Sequence, residues 1–166
     1  MIILNDKQIR QKLRRLAFEI IEQNSEEENI IIAGINNNGY AFAKLLQTEL
    51  RSIKDTKCQF TLANIKLNAA NPIVDDVVVD LDPSKYEHSV VIVIDDVANT
   101  GRTLFYACIP FMEVLIKKLQ TAVMINRTHK SYPVSVNFIG LSLATTLSDH
   151  INLDISNKEN YVATVI

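Results

Sequence analysis

The residues best suited to chemistry form one run, Asp95-Asp96-Val97-Ala98-Asn99-Thr100-Gly101-Arg102-Thr103. Gly101 removes a Cβ, so a ligand can approach the backbone closely. The amides of Gly101, Arg102 and Thr103 lie where an apolar helical pattern begins. Unpaired donors and the positive end of a helix dipole therefore face any anion held there. Thr100 and Thr103 add hydroxyls, and the whole makes a cradle for a phosphate monoester. Asp95 and Asp96 would repel that phosphate, so they suit something beside it. An ionised carboxylate accepts hydrogen bonds from the neighbouring hydroxyls of a ribose, and it can support Mg²⁺ directly or through water. A phosphate cradle next to a diol clamp describes a sugar phosphate. The plainer alternative is that Asp96 or Thr100 caps a helix while the other carboxylate is solvated. The run is neither a Walker A loop, which needs an earlier Gly and a Lys, nor a dinucleotide-binding fingerprint.

The rest of the composition narrows the setting. With 166 residues, 48% apolar and 22% charged, the chain reads as one folded domain over 1–166. A net charge of −2 gives no global attraction to nucleic acid or to an anionic membrane. Cys58 and Cys108 lie far apart, as do His88, His129 and His150, so a metal site built from protein ligands alone is not expected. No run approaches a membrane span and no secretory leader is evident, so the expected setting is the cytoplasm, without a membrane partner.

The elements that must position the acidic loop follow from periodicity. Asn5 or Asp6 caps a helix with apolar residues at Ile9, Leu13, Leu16, Ile20 and Ile21. The spacing predicts strands at 30–35 and 58–65, a turn at Asn36-Asn37-Asn38-Gly39, and a helix from about Tyr40 to Ile53. Residues 77–81 can form a strand, and 82–89 read as a loop. The apolar run 90–94 is a further strand, and a helix is expected from about Arg102 to Leu119. Strands follow at 121–126, 134–141 and 161–166. Strands alternating with long helices imply a Rossmann-like, mainly parallel sheet with helices on both faces. In such a sheet ligands bind at the carboxyl ends of the strands. Both 34–39 and 95–103 lie there, which points to one site built from two loops.

The sequence Val-Ile-Val-Ile-Asp-Asp-Val-Ala-Asn-Thr-Gly-Arg-Thr over 91–103 resembles the binding signature of type I phosphoribosyltransferases. That resemblance implies a core with a small hood, phosphoribosyl pyrophosphate (PRPP) as substrate, Mg²⁺ bound with it, and a nucleobase that displaces pyrophosphate. It assigns Asp95 and Asp96 to the ribose hydroxyls as catalytic groups. Ala98, Asn99, Thr100, Gly101, Arg102 and Thr103 become the 5′-phosphate loop. Residues 3–24 and 126–146 are similar to the opening helix and distal region of the pyrimidine-operon attenuation regulators that double as uracil phosphoribosyltransferases. The implied reaction is uracil to UMP, in a homodimer or higher homo-oligomer. The base would meet a hood near Arg127, His129 and Ile139.

Two loops depart from that pattern. The pyrophosphate loop of the resemblance, here Ile35, Asn36, Asn37, Asn38 and Gly39, carries no basic residue. Neutral donors bind an anion about half as strongly as charged ones. The segment 65–76 keeps Lys66, Asp75 and Asp76 but has no Arg; Lys44, Lys66 or a neighbouring subunit could supply the missing charge. These departures make the alternative function a catalytically weakened PRPP- or UMP-binding regulator. RNA enters as a partner through Lys7, Arg10, Lys12, Arg14 and Arg15, although Phe18 stands where those regulators usually have His. A solvated charged face is the plainer reading of the same cations.

Overall fold

The computed structural model describes residues 1–146 and 148–166. After β1 (Ile2–Leu4), helix α1 (Asp6–Gln23) begins in a reciprocal cap. Asn5 Oδ1 accepts from the Gln8 amide at 3.0 Å, and Gln8 Oε1 accepts from the Asn5 amide at 2.9 Å. Two of the donors that a helix start leaves open are thereby satisfied. Ile9, Leu13, Leu16, Ala17 and Ile20 form its buried stripe.

The chain continues through β2 (Asn29–Ile35), α2 (Asn36–Ser52), β3 (Gln59–Lys66), β4 (Val78–Val79), α3 (Pro83–Tyr86) and β5 (Val90–Ala98). Then come α4 (Arg102–Ala107), a 3-10 turn (Ile109–Met112), β6 (Lys118–Arg127), β7 (Phe138–Leu143), β8 (Ile151–Asp154) and β9 (Val162–Val165). The main sheet has the order β4-β3-β2-β5-β6-β7. All neighbours are parallel except β4, which is antiparallel to β3. Both faces are covered, as uniformly apolar parallel strands require. Ile30, Ile32, Val90, Ile92 and Ile94 pack with α1 and α2. Ile31, Ala33, Val91 and Val93 pack with Leu104, Tyr86 and Phe111 on the opposite side. The fold class expected from periodicity is therefore the one observed.

A second, antiparallel sheet of order β1-β9-β8 joins the two ends of the chain. The Met1 ammonium donates to the Val165 carbonyl at 2.7 Å, and the Val165 amide donates to the Met1 carbonyl at 2.9 Å. Neither β1 nor β8 was visible as a pattern, because strands of three or four residues are too short to show a period.

Several expected boundaries move. Asn36–Gly39 is not a separate turn: it is the first turn of α2, entered through a left-handed Asn36 with φ 50°. The helix expected to run from Arg102 to Leu119 stops at Ala107. Pro110 follows in the 3-10 turn and brings no amide donor. Residues 82–89 are not wholly loop: Asp82 caps the single turn α3, with Pro83 at its first position. The strand expected over 134–141 begins only at Phe138, since Asn137 Oδ1 takes the Thr121 amide at 2.9 Å in place of a backbone partner.

Two glycines let α2 approach the sheet. A Cβ on Gly34 would lie 2.5 Å from the Gly39 carbonyl oxygen and 2.5 Å from Tyr40 Cα. On Gly39 it would lie 2.7 Å from the Ile94 carbonyl oxygen and 3.2 Å from Asp95 Oδ1. The obstructing atoms are mostly backbone, which cannot rotate away. Gly34→Ala is therefore expected to destabilise the fold by about 2–3 kcal/mol, read as a lower midpoint in urea at unchanged slope. An unchanged midpoint would mean that this contact does not constrain the helix.

Candidate functional site

The carboxyl ends of β2 and β5 open into a cleft made of two adjoining cavities of about 530 Å³ and 520 Å³. Ala69, Asp95, Val97, Asn99 and Thr103 border both. The first lies over the loop from Ala98 to Thr103 and is closed at its rim by Ser131 and Tyr132. The second lies between Ile35, Asn36, Asn37 and Asn38 on one side and His150, Ile151 and Asn152 on the other, with both carboxylates at its base. Gly39 packs beneath it, against the end of β5.

Asp95 and Asp96 belong to β5 itself and are half-buried. Burial first, and then the neighbouring Asp96 carboxylate, push the Asp95 carboxyl well above the usual carboxylate range. The Asp96 amide, donating to Asp95 Oδ1 at 2.9 Å, only partly opposes this. Positive charge placed here, on a cation or on an electron-poor ribose, would relieve both effects. The donor set also suits a hard cation: Mg²⁺ is commonly held by one or two carboxylates together with substrate phosphates. Among the described residues no cluster of three or more His, Cys, Asp or Glu side chains could hold a metal without such help.

The loop that follows β5 is held from behind. Gly101 is left-handed, with φ 87°, and its carbonyl accepts from the Phe105 amide at 2.9 Å to start α4. The Ser131 and Tyr132 amides donate to the Thr100 carbonyl at 2.9 and 3.2 Å. Lys130 Nζ donates to the Asn99 carbonyl at 2.9 Å, to Asn126 Oδ1 at 2.7 Å and to the Arg127 carbonyl. Burial and the Arg127 charge lower the pKa of Lys130. Arg127 donates to Asn99 Oδ1 at 3.3 Å, to the Asp149 carbonyl at 3.2 Å and to the Thr146 carbonyl. The segment after β6 thus props up the loop from behind, and its Ser131 and Tyr132 also line the cleft.

The expected site residues are brought together unequally. Asp95, Asp96, Ala98 to Thr103 and Ile35 to Asn38 all border the cleft. Arg127 reaches it only through Asn99, and His129 is exposed and borders neither cavity. Ile139 does not line it: it pairs with Val123 inside β7 and packs into the sheet. The expectation for Ile139 rests on the resemblance of residues 126–146 to the family's distal region, whereas the residue lies inside β7, away from its carboxyl end. His150, Ile151 and Asn152 were missed, since nothing marked the short strand β8. Asn36 is also diverted, because its carboxamide is bonded to Leu67. Lys66 lies in a neighbouring hollow with Asp75 and Asp76, and Lys44 stacks 4.9 Å over Tyr40.

The cations of α1 are largely committed. Arg10 pairs with Asp6 at 2.8 Å and stacks over Tyr161. Arg14 reaches Glu49 and Ser52 and lies over Phe18. Arg15 donates to the Ile139 and Gly140 carbonyls at 2.7 and 2.8 Å. These contacts offset, for the three arginines, the unfavourable placement of positive charge at a helix start. Among the described residues no helix is long and apolar enough to cross a membrane.

Comparison with known proteins gives a consistent answer. A family described as phosphoribosyl transferase domain matches residues 2–158. The bifunctional protein PyrR of Clostridium novyi is 28% identical over 171 residues, covering 96% of this chain and 92% of that protein. The bifunctional protein PyrR of Bacillus cereus is 29% identical over 170 residues, covering 95% and 92%. Among solved structures, a hypoxanthine-guanine phosphoribosyltransferase from Bacillus anthracis superposes with a TM-score of 0.75 at 21% identity, covering 100% of this chain and 96% of that one. A hypoxanthine phosphoribosyltransferase from Staphylococcus aureus gives 0.70 at 15% identity, with 86% and 77% covered. Likeness at those identities concerns the fold.

The raised pKa of Asp95 has a consequence for stability. Its folded value lies above its unfolded one, so the native state holds the extra proton and stability falls as pH rises through that window. Asp95→Asn should therefore stabilise the ligand-free protein by about 1 kcal/mol near pH 7. The gain should shrink toward zero as pH falls to about 4. Urea midpoints of both proteins at the two pH values test this; a gain independent of pH, or a loss near pH 7, would contradict the assignment.

Proposed function

Since the chain belongs to the phosphoribosyl transferase domain family, we propose that it transfers the ribose 5-phosphate unit of PRPP to a pyrimidine base, uracil, giving UMP. The observation that supports this best is the adjacency of Asp95 and Asp96 to the Asn99–Thr103 loop along one cleft. In this reading the loop amides and the Thr100 and Thr103 hydroxyls hold the 5′-phosphate. The two carboxylates accept the ribose hydroxyls. Their negative charge lies beside C1, where positive charge develops as the bond to pyrophosphate breaks and the bond to the base nitrogen forms. Mg²⁺, bound with PRPP and reached by Asp95 or Asp96, would neutralise charge on the departing pyrophosphate. The first-turn amides of α2 contribute the positive end of its dipole to the same group. The base nitrogen gives its proton to water or to the departing pyrophosphate as the new bond forms. His150, Ile151 and Asn152 face the carboxylates across the cleft, so the base would lie against them and be read there.

One observation favours a second reading, a regulator that binds UMP or PRPP with slow or no turnover. Among the described residues, no lysine or arginine borders the cavity between Asn36–Asn38 and His150–Asn152. Losing a single charged donor to a developing anion commonly costs a hundredfold or more in rate. PyrR relatives are described as bifunctional, and either role suits one domain in the cytoplasm, working as a homo-oligomer. RNA as a partner of the regulator would need a face other than the committed arginines of α1.

Incubating purified protein with uracil, PRPP and Mg²⁺ and following UMP separates the readings. Turnover about a hundredfold or more below that of a site with a basic pyrophosphate loop is expected. Tight UMP binding with no product supports the regulator. Asp95→Asn combined with Asp96→Asn should remove PRPP and UMP affinity by calorimetry, and retained affinity would contradict both readings.

A further inference from the structure

The cavity between Asn36–Asn38 and His150–Asn152 has two unlike walls, with the carboxylates of Asp95 and Asp96 between them. The Asn36–Asn38 wall is suited to a neutral group. Ile35 is apolar and buried. The Asn36 carboxamide spends a donor and its acceptor on the Leu67 backbone, at 3.0 Å each. Asn37 and Asn38 add only uncharged carboxamides. Arg102 lines the other cavity, where it donates to the Ala69 carbonyl at 2.8 Å, and Lys66 lies in a separate hollow. A pyrophosphate on this wall meets two carboxylates and neutral donors. Water meets no such repulsion, and it can donate to a carboxylate while accepting from a carboxamide.

The opposite wall carries a group able to give a proton. The His150 amide donates to the Ile166 carbonyl at 3.0 Å, and the His150 carbonyl accepts from the Ile166 amide at 2.8 Å. The backbone is thus fixed while the imidazole remains exposed on the cavity wall. Ile151 turns inward and is buried, so His150 and Asn152 share the other face of the strand. Imidazole is the side chain most often used as a general acid, and a carboxamide beside it can orient a base.

We propose that this cleft also hydrolyses a pyrimidine nucleoside 5′-monophosphate, with water on the Asn36–Asn38 side and His150 as the acid that protonates the departing base. Water is the only co-reactant. The bond from C1 to the base nitrogen breaks, and its electron pair leaves with the base, which takes a proton from the His150 imidazolium. Positive charge on C1 lies beside Asp95 and Asp96 until the water oxygen bonds to it. That water loses a proton to solvent, and solvent returns one to His150. The products are the free base and ribose 5-phosphate. The placement of the nucleotide rests on the ribose 5-phosphate reading above, whereas the choice of water rests on the composition of the two walls.

Incubating the full chain with UMP, in the absence of pyrophosphate, and following uracil by chromatography tests this. Uracil and ribose 5-phosphate should appear in equal amounts over many turnovers. Release of uracil only after pyrophosphate and Mg²⁺ are added, with PRPP as the other product, would overturn hydrolysis and uphold the transferase. UMP bound by calorimetry with no uracil under either condition would overturn hydrolysis and uphold the regulator. No binding of UMP would overturn hydrolysis and the ribose 5-phosphate reading together. His150→Gln, which leaves both backbone bonds to Ile166 in place, should lower kcat for UMP about a hundredfold or more, with a smaller change in KM. The 5-fluorouracil nucleotide, whose base departs more readily as an anion, should lose only about tenfold or less in the same variant. An equal loss on both nucleotides would overturn His150 as the acid.

Discussion

Two adjacent carboxylates at the inner end of a buried parallel strand constrain everything built around them. Water is scarce there and each charge repels the other, which is why the Asp95 carboxyl holds its proton far more tightly than usual. A packed fold can avoid such a cost by placing apolar residues at these positions. That it is retained argues for a partner carrying positive charge or hydroxyl donors, and the residues nearby fit one. On one side the chain turns at a left-handed Gly101 and presents amides and hydroxyls suited to a phosphate. On the other, α2 begins within contact of the same strand, because Gly34 and Gly39 leave room for its first turn.

Support comes from the rim of the cleft and from elements behind it. Arg127, Lys130, Ser131 and Tyr132 hold the 98–103 loop through Asn99 and Thr100. Arg15 ties α1 to β7, and Arg10 ties it to the strand sheet that closes the chain. Arg10, Arg14 and Arg15 thus make intramolecular bonds while staying exposed at the surface. The cavity between Asn36–Asn38 and His150–Asn152 is left with two carboxylates and no lysine or arginine among the described residues, an arrangement less suited to free pyrophosphate than to a sugar.

Much of this was legible in the sequence because the signals were local and redundant. The run 90–103 states a strand, a pair of acids and a helix start in consecutive residues, and its structure follows that order. The amphipathic spacing of α1 and its Asn5 cap were equally direct. What escaped depended on distant partners. Strands β1 and β8 exist because each pairs with β9, and neither has enough residues to show alternation. Asn36 looked free to meet an anion, yet its carboxamide is bonded to Leu67 across a gap no local pattern reveals. The α1 arginines do face solvent, but each also bonds to a partner distant in sequence or one turn away, among them Asp6, Glu49, Ser52 and the carbonyls of Ile139 and Gly140, which no local pattern reveals. His150–Asn152 border the cleft through β8, whereas Ile139, expected there by resemblance, lies inside β7.

The most direct measurement is a crystal structure of the protein grown with UMP. The account predicts phosphate oxygens within hydrogen-bonding distance of the Thr100–Thr103 amides, both ribose hydroxyls on Asp95 and Asp96, and the base against His150–Asn152. A nucleotide bound elsewhere, or one whose ribose points away from the two carboxylates, would contradict it.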